Sequence, residues 1–159
     1  MIFRKVKREE LPRIREIFNG VMGTRGCTWS EHYPTDEHIA LDLAADSVWG
    51  LEKDGTLIAT ITVEHEAEHS PLFDWRVRDG RECELARLAV AIEHHGNGYA
   101  AILLQKILDM LKSEGASAVH LLVSPEHIAA ITTYRRFGFE YRDICTLYED
   151  IYHAYELVF

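Results

Sequence analysis

At 159 residues, 47% hydrophobic and 27% charged, the chain is long enough to bury one sizeable core, and a single domain over 1–159 is expected. Its formal net charge of -9 counts against a nucleic-acid partner, because phosphate binding draws on clustered lysine and arginine; the excess acid fits either a cationic ligand or a solvated surface. The charged opening MIFRKVKREELPR does not read as a signal or an anchor, and no run approaches the roughly 18 apolar residues that span a bilayer, so no membrane association is expected.

In chain order, residues 2–7 read as a short strand, followed by a helix from about 9 to 22 with Leu11, Ile14, Ile17, Phe18 and Val21 on one stripe and Pro12 in its first turn. GTRGCTWSEHYP, residues 23–34, reads as a loop, after which Thr35 caps a helix that starts with Asp36 and Glu37 and ends near Asp46. Val48 to Glu52 and Leu57 to Val63 form a hairpin about Asp54-Gly55, and a long loop runs from there to about Arg81. Residues 83–91 alternate as a strand, with Glu84, Ala86, Leu88 and Val90 expected on one face. From Ala100, Leu103, Leu104, Ile107, Leu108 and Leu111 keep a strong helical period up to Gly115. Val119 to Val123 is a short strand, and Ser124-Pro125-Glu126 offers an N-cap, a first-turn proline and an acid for a helix ending at Gly138. Strands near Phe139 to Leu147 and Tyr152 to Phe159, turning at Glu149-Asp150, close the chain. The mixture predicts one α/β domain with a largely antiparallel sheet flanked by helices.

The segment from Val90 to Ala100 joins a strand directly to the strongest helix through Gly96 and Gly98. Glycines there permit a tight turn whose N–H groups converge at a positive helix end, a place for a phosphate or pyrophosphate. His95-Gly96-Asn97-Gly98-Tyr99-Ala100 resembles the Arg/Gln-x-x-Gly-x-Gly/Ala motif of the GNAT superfamily of N-acetyltransferases, with His95 in place of Arg or Gln. A second stretch, His127 to Phe139, resembles the same family's Asn-x-x-Ala-x-x-x-Tyr-x-x-x-Gly-Phe pattern at Ala130, Tyr134, Gly138 and Phe139, with His127 in place of Asn. The resemblance covers about Glu84 to Glu140. It implies the GNAT fold, acetyl-CoA as co-substrate and transfer of its acetyl group to a primary amine. It also implies cofactor contacts from Leu88, Ala89 and Val90, from His95, Gly96, Asn97, Gly98, Tyr99 and Ala100, and from His127, Ala130 and Tyr134. A monomer or homodimer is expected.

Transfer to an amine needs polarisation of the thioester carbonyl, a base for the amine and a proton for the leaving sulfur. Backbone N–H near Val90 suits the first, as in the family. Tyr134 is the candidate acid, a phenol of ordinary pKa near 10, with an aromatic filling the core as the alternative. Glu84 is the candidate base, with a solvated glutamate, or one salt-bridged to Arg87 or Arg81, as the alternative. Glu64, Glu66, Tyr148 and Glu149 are weaker acceptor-site candidates. The acceptor has no legible code, because the long loop at 66–81 and the region 23–49 that would shape its pocket carry no motif.

Two competing readings concern His65-Glu66-Ala67-Glu68-His69 and the fold itself. On a helix the first is a zinc metalloprotease signature. The β-branched run before it and Ser70-Pro71 after it leave no room for a helix, and on a strand residues four apart lie about 13 Å from one another, so no metal is expected. The second competitor is a CoA-binding sensor or interaction module without turnover. Cys27, Cys83 and Cys145, odd in number and without metal spacing, are expected as free thiols in a cytoplasmic protein.

Overall fold

The N-terminal third is built on a stripe and a cap. In the computed structural model, which describes residues 1–65 and 70–159, β1 (Ile2–Lys5) leads into α1 (Leu11–Val21). Ile14, Ile17, Phe18 and Val21 are buried on one side of that helix, and Pro12 stands where no N–H is required. Thr35 caps α2 (Asp36–Ala44), its hydroxyl accepting from the His38 N–H while His38 Nδ1 accepts from the Thr35 N–H. β2 (Val48–Lys53) and β3 (Thr56–Glu64) turn through Asp54 and Gly55, both at positive φ (51° and 76°) as a two-residue hairpin requires.

β4 (Glu82–Val90), α3 (Tyr99–Ser113), β5 (Ala118–Val123), α4 (Ile128–Arg136), β6 (Glu140–Leu147) and β7 (Asp150–Val158) follow. The described strands form a seven-stranded sheet in the order β1-β2-β3-β4-β5-β7-β6, in which only β4 and β5 run parallel. This is the expected mixed α/β fold with a largely antiparallel sheet. One core lies between the sheet and α3, where Leu103, Leu104, Ile107, Leu108 and Leu111 are buried; each contributes about 1.5–3 kcal/mol. The other core lies under α1 and α2 on the opposite face. Cys27, Cys83 and Cys145 are free thiols.

Three expectations are corrected. The helix after β5 begins at Ile128 with His127 as its cap, because Ser124 to His127 first closes a turn (His127 N–H to Ser124 O, 3.0 Å). The last hairpin turns at Tyr148 and Glu149, at φ 51° and 70°, one residue before the expected place. The third correction bears on the site. Pairing of β4 with β3 slips between Ala86 and Ala89, with Arg87 at φ 52°, so β4 carries a bulge that inverts its alternation. Cys83 and Leu85 face the α3 core, after the bulge Val90 does so, and Ala89 faces α1 and α2. Glu84 and Val90 therefore lie on opposite faces.

Candidate active site

The one parallel strand pair does not persist. β4 and β5 are in register only from Glu82 opposite Ala118 to Leu85 opposite Leu121, after which β4 continues unpaired on that side. Val90 stands opposite Ala59 while Ala91 N–H donates to Ile58 O (2.8 Å), so the N–H and C=O of Val90 point into the gap that β5 has left. A cavity of about 490 Å³ fills this gap between β4, β5, the glycine turn and α4.

Its walls carry Leu88, Ala89, Val90, His95, Gly96, Gly98, Tyr99, Ala100, His127, Ala130 and Tyr134. Asn97 is outside the lining, its amide donating to the carbonyls of His94 and His95. Gly96 and Gly98 both sit at φ 78°, and neither is pressed by a neighbour, so the requirement there is backbone conformation. Among the described residues, no backbone carbonyl accepts from the N–H groups of Gly96, Asn97 or Gly98. The first-turn N–H groups of α3 are likewise unpaired, and the first helical bond runs from Ile102 to Gly98 O. That row of donors at a helix N-terminus fits the pyrophosphate of CoA. The His95 ring folds back, Nε2 lying 2.7 Å from Val90 O. His127 Nδ1 accepts from the Ala130 N–H, a task asparagine performs equally well; burial, helped by nearby His95, lowers its pKa and keeps it neutral. Burial raises the Tyr134 phenol to about 12.

Glu84 lines a second cavity, of about 350 Å³, on the α2 side of β4. It stands directly opposite Glu64, its Oε2 is buried without a hydrogen-bond partner, and burial together with the Glu64 charge raises its pKa to about 7 against the pull of Arg87. At the bulge Arg87 donates from Nε and Nη2 to the two oxygens of Asp42 (2.7 and 2.9 Å), from Nη2 to Glu64 Oε1 (2.6 Å) and from Nη1 to the Tyr33 hydroxyl (2.8 Å). The two cavities share Leu85, Ala86, Arg87 and Tyr152 in their linings, so they meet where β4 parts from β5.

The model of the acetyltransferase (GNAT) family matches residues 11–139. The chain belongs to the GNAT acetyltransferase family. An L-methionine sulfoximine/L-methionine sulfone acetyltransferase of Pseudomonas paraeruginosa is 25% identical over 136 residues, covering 82% of this chain and 75% of the relative. A GNAT acetyltransferase of Streptococcus agalactiae matches in fold at a TM-score of 0.82 and 18% identity, over 99% of this chain and 95% of that one. A Salmonella typhimurium acetyltransferase solved with its cofactor acetyl-CoA matches at 0.75 and 18% identity, over 99% and 93%.

This GNAT acetyltransferase thus collects Tyr134 and the turn residues around one cavity and puts Glu84 in the adjoining one. Of the weaker candidates, Glu64 and Tyr148 line the Glu84 cavity; Glu149 does not, and Glu66 lies outside the described residues. His65 Nδ1 is 3.4 Å from Cys83 Sγ, at the end of an extended strand, while the rest of the H-E-x-x-H motif lies outside the described residues. Sequence reasoning offered Arg87 as a partner for Glu84, whereas it binds Asp42 and Glu64, and it missed Asp42 and Tyr33, which only pairing brings to Arg87. It also missed Gly26, at φ 82°, where an added Cβ would stand 2.5 Å from His127 Cα, so that the 23–29 loop closes on the start of α4.

Proposed function

We propose that this acetyltransferase passes the acetyl group of acetyl-CoA to a primary amine by direct attack in a ternary complex, as a cytoplasmic enzyme. The observation that carries the reading is the junction of the two cavities at the β4 bulge. It sets a turn of unpaired N–H groups on one side and a carboxyl group raised to a pKa of about 7 on the other. When bound, acetyl-CoA supplies an activated thioester.

Gly96, Gly98 and the first turn of α3 hold the pyrophosphate, and the Val90 N–H, freed by the departure of β5, polarises the thioester carbonyl as its oxygen gains charge. Glu84, ionised above about pH 7, takes the proton of the incoming nitrogen, directly or through water, as the nitrogen–carbon bond forms. Tyr134 gives its proton to the departing sulfur as the carbon–sulfur bond breaks and recovers one from solvent. Its phenol at about 12 is protonated at every working pH.

The test is a thermal melt with increasing acetyl-CoA, followed by thiol release over a panel of amines that includes L-methionine sulfone, an acceptor named for the Pseudomonas relative. A rising melting temperature and amine-dependent thiol are expected. Identical melts with and without acetyl-CoA overturn the proposal, and stabilisation without thiol release from any amine makes the chain a sensor.

A further inference from the structure

The cavity on the Glu84 side holds three carboxyl groups, of Asp42, Glu64 and Glu84, against a single guanidinium. Arg87 is the one lysine or arginine among the described residues of its lining, and four of its five N–H donors already go to Asp42, Glu64 and Tyr33, which neutralises its charge. An acceptor bearing a carboxylate beside its amine would find no free cation there and would face like charge. His38 offers little relief, since its Nδ1 is held by Thr35 and its ring stands edge-on to Tyr33 at 4.9 Å.

The same wall suits a cation. Glu84 Oε2 is buried with no partner, which a native structure tolerates poorly unless something that donates comes to it. Glu64 spends only Oε1 on Arg87. Trp29, Tyr33 and Tyr148 line the cavity with aromatic surface, the last two nearly parallel at 6.4 Å, and such faces attract an ammonium and cover a methylene chain. Resting on amine acetylation at this junction, we propose that the acceptor is an alkyl diamine or polyamine, with no carboxylate beside the reacting nitrogen.

The decisive comparison is thiol release from acetyl-CoA with 1,4-diaminobutane and with L-ornithine, which differ by that carboxylate alone, at about pH 8 and matched ionic strength. The diamine is expected to be favoured in kcat/KM by about 100-fold or more, the scale on which unrelieved like charge discriminates. Glu64→Gln, checked by its melt to be folded, removes one negative charge while its amide oxygen can still accept from Arg87. It should narrow the ratio to about 10-fold, mainly by raising KM for the diamine. Equal or faster reaction of L-ornithine overturns the proposal. Turnover of L-methionine sulfone with none of the diamine overturns it too, while leaving acetyl transfer standing. Thiol release from no amine at all removes the acetyl-transfer reading and this acceptor class with it.

Discussion

Glu84→Gln should make the protein more stable and less active at once. The carboxyl is held at about 7 in the folded chain, against a reference of 4.5, by burial and by Glu64. Below the reference value both folded and unfolded chains keep the proton, and the side chain carries no penalty. As pH rises, the unfolded chain sheds its proton first. The relative stability present in acid is therefore lost progressively up to about pH 7. The raised value corresponds to about 3 kcal/mol at most above that pH. Gln imitates the protonated acid at every pH. The variant should therefore melt above the parent at pH 8, by up to about 6–12 °C, and close to it at pH 4.5, given roughly 2–4 °C per kcal/mol for a chain of this size. If Glu84 is also the base, kcat/KM should fall by about 100-fold or more and lose its inflection near pH 7. Melts at both pH values and a pH–rate profile check the two halves separately. A variant that melts no higher than the parent at pH 8 refutes the buried-carboxylate argument, and one that keeps the inflection refutes the base.

Tyr134→Phe keeps the ring that meets Phe139 edge-on and deletes only the hydroxyl, so turnover should fall about 100-fold with acetyl-CoA affinity unchanged, measured by thiol release beside a titration. Arg87→Met strands Asp42 and Glu64 and should cost about 2 kcal/mol or more in denaturant unfolding, part of which Asp42→Asn added to it should restore. Gly26→Ala places a Cβ against the His127 backbone at a left-handed φ; it should cost more than about 1 kcal/mol and weaken acetyl-CoA binding, because the 23–29 loop can no longer close on α4.

The parts of this molecule that could be read from sequence are those fixed locally. The 3.6-residue period of α3, the glycines before it and the spacing from His127 to Tyr134 each depend on residues close in the chain, and together they point to the cavity beside the glycine turn. What escaped depends on pairing. Nothing in Ala86-Arg87-Leu88 announces a bulge, since non-glycine residues seldom take positive φ, yet that one insertion sends Glu84 to the opposite face from Val90. The Arg87 cluster joins residues from the loop before α2, from α2, β3 and β4, whose proximity no short window encodes. The turn at Tyr148 and Glu149 escaped for a related reason, as neither is a residue that favours left-handed backbone. The loop after residue 70 is tied down by a buried pair, His120 and Glu156 at 2.9 Å, with Glu156 also accepting from the Arg76 and Val77 N–H groups. In the sequence these are polar or unremarkable residues from three places far apart.

The claim that amine and thioester meet at the β4 bulge, with no covalent acetyl-enzyme between them, is tested most directly by initial rates of thiol release over a grid of acetyl-CoA and 1,4-diaminobutane concentrations. Adjoining cavities filled together predict double-reciprocal lines that intersect, and acetylated diamine formed in step with free thiol. Parallel lines, the mark of a substituted-enzyme route, would contradict the account.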